Sequence, residues 1–280
     1  LVSPGLSVLL TKALDGVPRK IVSLNPSITE YLFVLGAGDR VVASDVWSYR
    51  PREAMKTMKI GSFTAADIES IRRLGPDLII LAYPVQKHLV DSLSMIAPVL
   101  AIPMPTNLNA IASAFEMVGN LLDMDNEAAR VINTYMDALK ESAVSVDNVL
   151  VVLSLGDFVI PCESSYIASA LNRVGLRYAR GLKCVELITN RDGVLGVVDR
   201  VNPGLIIYEG KTKEYRPQEF NWVNKPVLYT PNDTLAHYGP SLPLDIQLLT
   251  NALMKKESFV KNTSSILRPS LSDPWYRVYL

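Results

Sequence analysis

Apolar positions along the chain fall into two kinds of pattern. Short, largely apolar runs occur at Ile21 to Leu24, where Ser23 is the one polar residue, at Val41 to Ala43 and Leu78 to Ile80, and again within "APVLAIPMP", "NVLVVLSLGD", "LIIYEG" and "KPVLYTPND". They are too short for stable helices, and such runs suit strands covered on both faces. Between them lie segments of helical spacing. "SITEYLFVLGAG" predicts a helix with Ser27 as N-cap and Glu30 three residues on, closed by Gly36 and Gly38. Strand, helix and strand in succession build a parallel sheet.

One phrase is written twice, "RRLGPDLII" from Arg72 and "DRVNPGLII" from Asp199. In the first, Ile68, Ile71 and Leu74 share a helix face, Gly75 takes the left-handed cap, Pro76 forbids continuation, and "LII" begins a strand. In the second, Val194, Val198 and Val201 form the face, and Asn202 replaces the capping glycine before Pro203. The flanks match as well, since "KIVSLNPS" and "NVLVVLSLGD" each end an apolar strand in a polar turn. Those turns lead into "SITEYLFVLG" and "SSYIASALNRVG". The two halves therefore share an order of elements. Between them, Ala128, Ile132, Tyr135 and Leu139 form a helical stripe. A helix from Asp125 to Ala143 would reach roughly 28 Å, enough for a stiff connector. The expected division is an N-terminal lobe over 1–122, a connecting helix over 123–146 and a C-terminal lobe over 147–280. The fold class is α/β, two Rossmann-like lobes with mainly parallel sheets.

Composition supports two cores. The chain has 280 residues, 49% hydrophobic and 20% charged, an ordered globular balance. Lys and Arg total 28 and Asp and Glu 28, so net charge favours neither nucleic acid nor an anionic membrane. The apolar runs fall short of the roughly 20 residues that span a bilayer. Membrane contact is expected only through a native anchor outside this chain. Cys162 and Cys184 lack CxxC spacing, which argues against structural zinc or a redox dithiol. One disulfide between them stays open, but two buried free thiols are the favoured expectation.

Nucleotide and hydrolase signatures are missing. "LGAGDR" follows a helix instead of a strand, neither GxGxxG nor GxxxxGK[ST] occurs, and there is no GxSxG. His88 and His237 stand apart with no HExxH pattern. No catalytic residue, resident metal site or cofactor is assigned. Aromatic and polar residues do recur just past the predicted strands, where open α/β sheets bind ligands. Trp47 and Tyr49 follow the second strand and Tyr83 ends the third. Asp157 and Phe158 occupy the matching place in the second half, followed by Tyr208 and Glu209, then Asn232, Asp233, His237 and Tyr238.

"RKIVSLNPSITEYLFVLGAGDRVVASDVWSYRP", "IGSFTAADIESIRRLGPDLII" and the helix after "MDNEAARVINTYMDALK" resemble the class III substrate-binding proteins of ABC importers. These serve ferric siderophores, cobalamin and haem, and the similarity runs from about Arg19 to about Lys255. The resemblance implies two Rossmann-like lobes bridged by one long helix, a ligand cleft between them, and delivery to an ABC transporter permease. It implies an extracytoplasmic address, at the periplasm or cell surface, and a monomer. A docking glutamate of the family falls on Glu69. Its second-lobe counterpart falls near Gly196, a departure for which Glu186 or Asp192 is a candidate substitute. For the small-molecule metal-chelate ligand, Arg50, Arg180 and Lys183 are candidate cations. Tyr83, His237 and Tyr238 are candidate haem ligands, and Trp47, Tyr49 and Phe158 suit a corrin. An iron chelate is favoured because that ligand class is the broadest in the family; oxyanions such as molybdate are also carried. The alternative is a two-lobed metabolic enzyme using the same cleft, with a phosphate-binding turn near Asn25 to Ser27 or Ser164 to Ser165. A third reading is a signalling receptor that keeps the fold without transport.

Overall fold

The apolar runs are the central strands of two sheets. In this computed structural model, residues 9–62, 64–139, 144–184, 186–210, 222–230, 232–254 and 266–267 are described. The chain divides into two units, Leu1–Pro105 with Asn109–Tyr135, and Thr106–Leu108 with Met136–Leu280.

The first unit holds β1 (Leu9–Leu10), β2 (Ile21–Ser23), β3 (Val41–Ser44), β4 (Met58–Lys59), β5 (Leu78–Tyr83) and β6 (Val99–Pro103), in the order β1-β6-β5-β2-β3-β4. All ladders are parallel except β1 with β6, and Ile21 lies opposite Leu78. Alternate strand residues Val22, Ile79, Leu81 and Val99 join Ile71 of α2 (Ile68–Leu74) and Val90 and Leu93 of α3 (Val90–Ser94) in one buried cluster. A second core forms around α1 (Pro26–Leu35). Tyr31 stacks on Phe115 of α4 (Leu108–Leu121) at 4.2 Å and donates to its carbonyl at 2.8 Å. Tyr135 of α5 (Asp125–Ala138) meets Phe115 edge-on. The helices α4 and α5 approach so closely that a Cβ on Gly119 would lie 2.4 Å from that of Ala128, so only glycine fits there.

The second unit contains β7 (Val146–Ser154), β8 (Phe158–Ile160), β9 (Leu176–Tyr178), β10 (Glu186–Ile188), β11 (Leu205–Glu209), β12 (Val227–Thr230) and β13 (Ile266–Leu267). Their order is β10-β8-β7-β11-β12-β13, with β9 also paired to β7. The β7-β11-β12-β13 ladders are parallel, whereas β8 pairs antiparallel with both β7 and β10. Its helices are α6 (Tyr166–Arg173), α7 (Arg191–Val201) and α8 (Leu242–Met254).

The repeated phrase is a helix-to-strand junction in each unit. Gly75 caps α2 at φ 58° and Asn202 caps α7 at φ 47°, the left-handed region both residues were expected to occupy. Each junction is tied to the neighbouring strand by a different side chain. Asp77 accepts the Arg19 and Lys20 N–H groups at 2.8 and 2.9 Å. In the second unit Asn148 Nδ2 donates back to the Val201 and Asn202 carbonyls at 3.0 and 2.9 Å.

Three expectations change. The N-cap of α1 is Asn25, whose side chain accepts the Ile28 N–H, because Pro26 takes the first helical position and leaves Ser27 inside the helix. The stripe helix α5 ends at Ala138, and residues 140–143 lie outside the described residues. Cys162 and Cys184 are joined as a disulfide and are not free thiols, with Cα atoms 4.8 Å apart. The cause is the β8–β10 pairing, which sets Ile160 opposite Glu186; two residues further out, the same antiparallel register brings Cys162 opposite Cys184.

Candidate functional site

In the first unit β3 ends at Ser44 and runs into a buried polar frame. Asp45 is wholly buried, and its carboxylate accepts the Trp47 N–H and the Ser48 hydroxyl, both at 2.7 Å. Burial raises its pKa, against the Ser48 and Trp47 hydrogen bonds and the nearby Lys59 charge. The Lys59 ammonium, lowered in pKa by burial against the pull of Asp45, donates to the Ser48 carbonyl at 2.6 Å and the Ser44 hydroxyl at 2.8 Å. Above this frame Trp47 stands 42% exposed, Tyr49 is half-buried, and the Arg50 guanidinium lies 6.0 Å from the Tyr49 ring. Along the same edge Tyr83 is half-buried at the end of β5. The turn beyond it is fixed by Gln86, which is fully buried, accepts the Ala82 N–H at 2.8 Å and donates to the Leu24 carbonyl at 2.9 Å. One edge of one sheet thus presents aromatic surface on a rigid polar base.

The second unit uses its strand ends differently. Tyr208 is 1% exposed and packs on Tyr229 at 5.5 Å, so its ring belongs to the core and offers no surface to a ligand. Glu209 is wholly buried and accepts the N–H groups of Asp233 at 2.9 Å, Leu235 at 2.5 Å and Ala236 at 3.2 Å. Burial, reinforced by the Asp233 charge, pushes its carboxyl up to about 8 against those hydrogen bonds. Glu209 therefore shapes the loop after β12. Within that loop Asp233 is half-buried at φ 61°, while His237 and Tyr238 are buried. Tyr238 meets Tyr166 edge-on at 5.6 Å, and the Tyr166 hydroxyl donates to the Leu235 carbonyl at 2.6 Å.

Asp157 is exposed in the β7–β8 turn, and Phe158 is half-buried beside it. Phe158 has a neighbour that strand-end reasoning does not find. Trp222 lies 6.2 Å away edge-on, and the Arg191 guanidinium is 5.6 Å from the Trp222 ring. Trp222 precedes a strand instead of following one, so its place along the chain carries no signal. Of the other candidate cations, Arg50 is buried while Arg180 and Lys183 are exposed.

Glu69 projects from α2 with its side chain 75% exposed, 3.6 Å from Arg72. Gly196 is exposed on α7, Asp192 is exposed in that helix's first turn, and Glu186 opens β10. The two turns considered for phosphate are occupied by their own caps, Asn25 on the Ile28 N–H and Ser165 on the Ala168 N–H. An open depression of about 470 Å³ lined by Val17, Arg19, Asp39, Arg40, Leu122 and Asp123 adjoins residues that precede β2 and β3. That is the end of a parallel sheet where ligands are not usually bound.

Comparison with known proteins identifies the family and the fold. A vitamin B12-binding protein of Pectobacterium atrosepticum is 36% identical over 73 residues, and the match spans 26% of either chain. A periplasmic haem-binding protein from Pseudomonas aeruginosa shares the fold at a TM-score of 0.69 and 19% identity, over 92% of this chain and 96% of that one. A possible iron-binding periplasmic solute-binding protein from Staphylococcus epidermidis does so at 0.68 and 18%, over 84% and 98%. The family model for periplasmic binding proteins matches residues 21–180, more than half of the chain. The chain belongs to the periplasmic binding protein family, and its two units with mainly parallel sheets are those of the class III fold.

Proposed function

We propose that this protein is the substrate-binding component of an ABC importer and captures a metal chelate for delivery to a membrane permease. The observation that carries the reading is the edge of the first sheet, where Trp47 and the half-buried Tyr49 and Tyr83 stand over a buried hydrogen-bonded base. Large flat faces of this kind suit a macrocycle or a shell of aromatic chelating groups, and a fixed base spares the ligand the cost of ordering its site. Phe158, Asp157 and Asp233 are the second unit's candidate contacts. A ferric siderophore is the favoured ligand, with haem, cobalamin and oxyanions as the other classes. Glu69 is the proposed permease contact. The Cys162–Cys184 disulfide supports an extracytoplasmic address, since such bonds persist in oxidising compartments.

Metal analysis and mass spectrometry of the purified protein, followed by tryptophan-fluorescence titration with a ferric tris-catecholate, haemin, cyanocobalamin and molybdate, test the proposal. One class should bind saturably, and Trp47→Ala and Tyr83→Ala should each weaken it at least tenfold. Unchanged affinity in both variants removes the assignment of this edge.

A further inference from the structure

The segment carrying Trp47, Tyr49 and Arg50 hangs between the wholly buried carboxyl group of Asp45 and the half-buried ammonium of Lys59. Asp45 grips its start through the Trp47 N–H and the Ser48 hydroxyl. Lys59, one strand away on β4, grips its middle and its far side. Its ammonium reaches the Ser48 carbonyl at 2.6 Å, the Ser44 hydroxyl at 2.8 Å, the Ala54 carbonyl at 3.0 Å and the Thr57 hydroxyl at 3.2 Å. Three ammonium protons serve these four acceptors, so each proton is engaged. Ser48 is held a third time, with its hydroxyl 3.0 Å from that of Thr29, which is bonded in turn to Ser23.

Taking the Asp45 carboxylate out of water costs several kcal/mol, and the half-buried Lys59 ammonium a smaller amount, before their attraction and hydrogen bonds are counted. Burial shifts Asp45 upward and Lys59 downward in pKa, so for both groups desolvation outweighs their mutual attraction. What the charges add is definition, because charge-assisted bonds hold two successive residues of the segment, Trp47 through Asp45 and Ser48 through both Asp45 and Lys59.

We propose that Asp45 and Lys59 are positioning residues that hold the Trp47–Arg50 segment in its ligand-receiving conformation before any ligand arrives. The inference rests on the proposed function, in which Trp47 and Tyr49 touch the ligand. Preorganisation of this kind raises affinity by removing an ordering cost from the binding step.

The test uses the full chain with Lys59→Met, Lys59→Arg, Asp45→Asn and Trp47→Ala, titrated with the ferric tris-catecholate, haemin and cyanocobalamin. Amide hydrogen exchange of residues 46–50 is followed without ligand. Lys59→Met and Asp45→Asn should speed exchange in that segment at least tenfold while leaving β5 and β6 protected. Both should weaken the probe that Trp47→Ala weakens, again at least tenfold, and Lys59→Arg should restore part of both losses. Lys59→Met that folds, binds as the wild type and exchanges as the wild type overturns the proposal. Should Lys59→Met fail to fold, Asp45→Asn decides by the same two readouts. If Trp47→Ala leaves every affinity unchanged, the assignment of Trp47 as a ligand contact has failed. Exchange then decides the positioning role: faster exchange at 46–50 upholds it, and unchanged exchange overturns it.

Discussion

The loop after β3 and the loop after β12 are both organised by a fully buried carboxyl group, Asp45 in one unit and Glu209 in the other, yet they turn their aromatic residues in opposite directions. Asp45 takes one backbone N–H and one hydroxyl, and Lys59 supplies the remaining donors from beneath. The chain can therefore run outward over this base and leave Trp47 in solvent. Glu209 is met by the N–H groups of residues 233, 235 and 236, which curls the chain around a single carboxyl group. That curl draws His237 and Tyr238 inward, against Tyr166 in the case of Tyr238. A strand end is thus a necessary position for a ligand-facing ring but not a sufficient one. What decides is whether the loop's polar groups are satisfied from below or from within.

Removing Glu209 should break the inward loop most severely. Glu209→Ala strands the buried Leu235 N–H and the half-buried N–H groups of Asp233 and Ala236, and at about 1–3 kcal/mol for an unsatisfied buried group the expected loss is roughly 3–5 kcal/mol in urea unfolding at pH 6. Glu209→Gln keeps one acceptor oxygen and should lose less. The pair also has a pH signature. Glu209 titrates at about 8 in the fold against an ordinary 4.5. Between those values the folded chain keeps a proton that the unfolded chain has lost, so stability falls as pH rises through the window. The fall is on the order of 5 kcal/mol and should be missing in Glu209→Gln. A wild-type profile as flat as that of the variant across this range would show the carboxyl to be ionised throughout.

The second contrast lies between aromatic residues that look alike in sequence. Tyr238→Ala empties a buried site and should cost about 3 kcal/mol, whereas Trp47→Ala, at an exposed position, should change stability by less than about 0.5 kcal/mol. Equal losses in thermal unfolding would dissolve the distinction between the loops. This is also where sequence reading met its limit. Largely apolar runs located β2, β3, β5, β6, β7, β11 and β12, and the Gly75 and Asn202 caps were legible because few residues adopt a left-handed turn. The β8–β10 pairing was hidden, since strands of three residues carry too few positions for alternation to show, and the disulfide was hidden with it. At the strand ends, Trp47 and Tyr238 each follow an apolar run and a polar turn. Which way a ring points is set through residues distant in sequence from it, Glu209 for Tyr238 and, under the proposal above, Lys59 for Trp47. Trp222 and Arg191 meet only through the fold.

The smallest expected effect concerns the two helices before the repeated junctions. On α2, Glu69 is exposed and among the described residues pairs with Arg72 one turn on, a contact whose loss on Glu69→Ala should cost less than about 0.5 kcal/mol. On α7 the corresponding surface carries Gly196, where an added Cβ meets no atom within 4 Å. Glycine inside a helix is worse than alanine by about 0.5–1 kcal/mol, so Gly196→Ala should stabilise the second unit by that amount. Gly196→Glu should gain slightly less, and it places on α7 the kind of charge that α2 already bears. If Glu69 meets the permease as proposed, Glu69→Ala lowers ligand uptake in cells while leaving ligand affinity intact. Gly196→Glu then tells whether the second unit docks through the same patch: an unchanged uptake rate means that this unit makes its contact elsewhere on its surface, and a raised one means that the glycine had left a docking position unfilled.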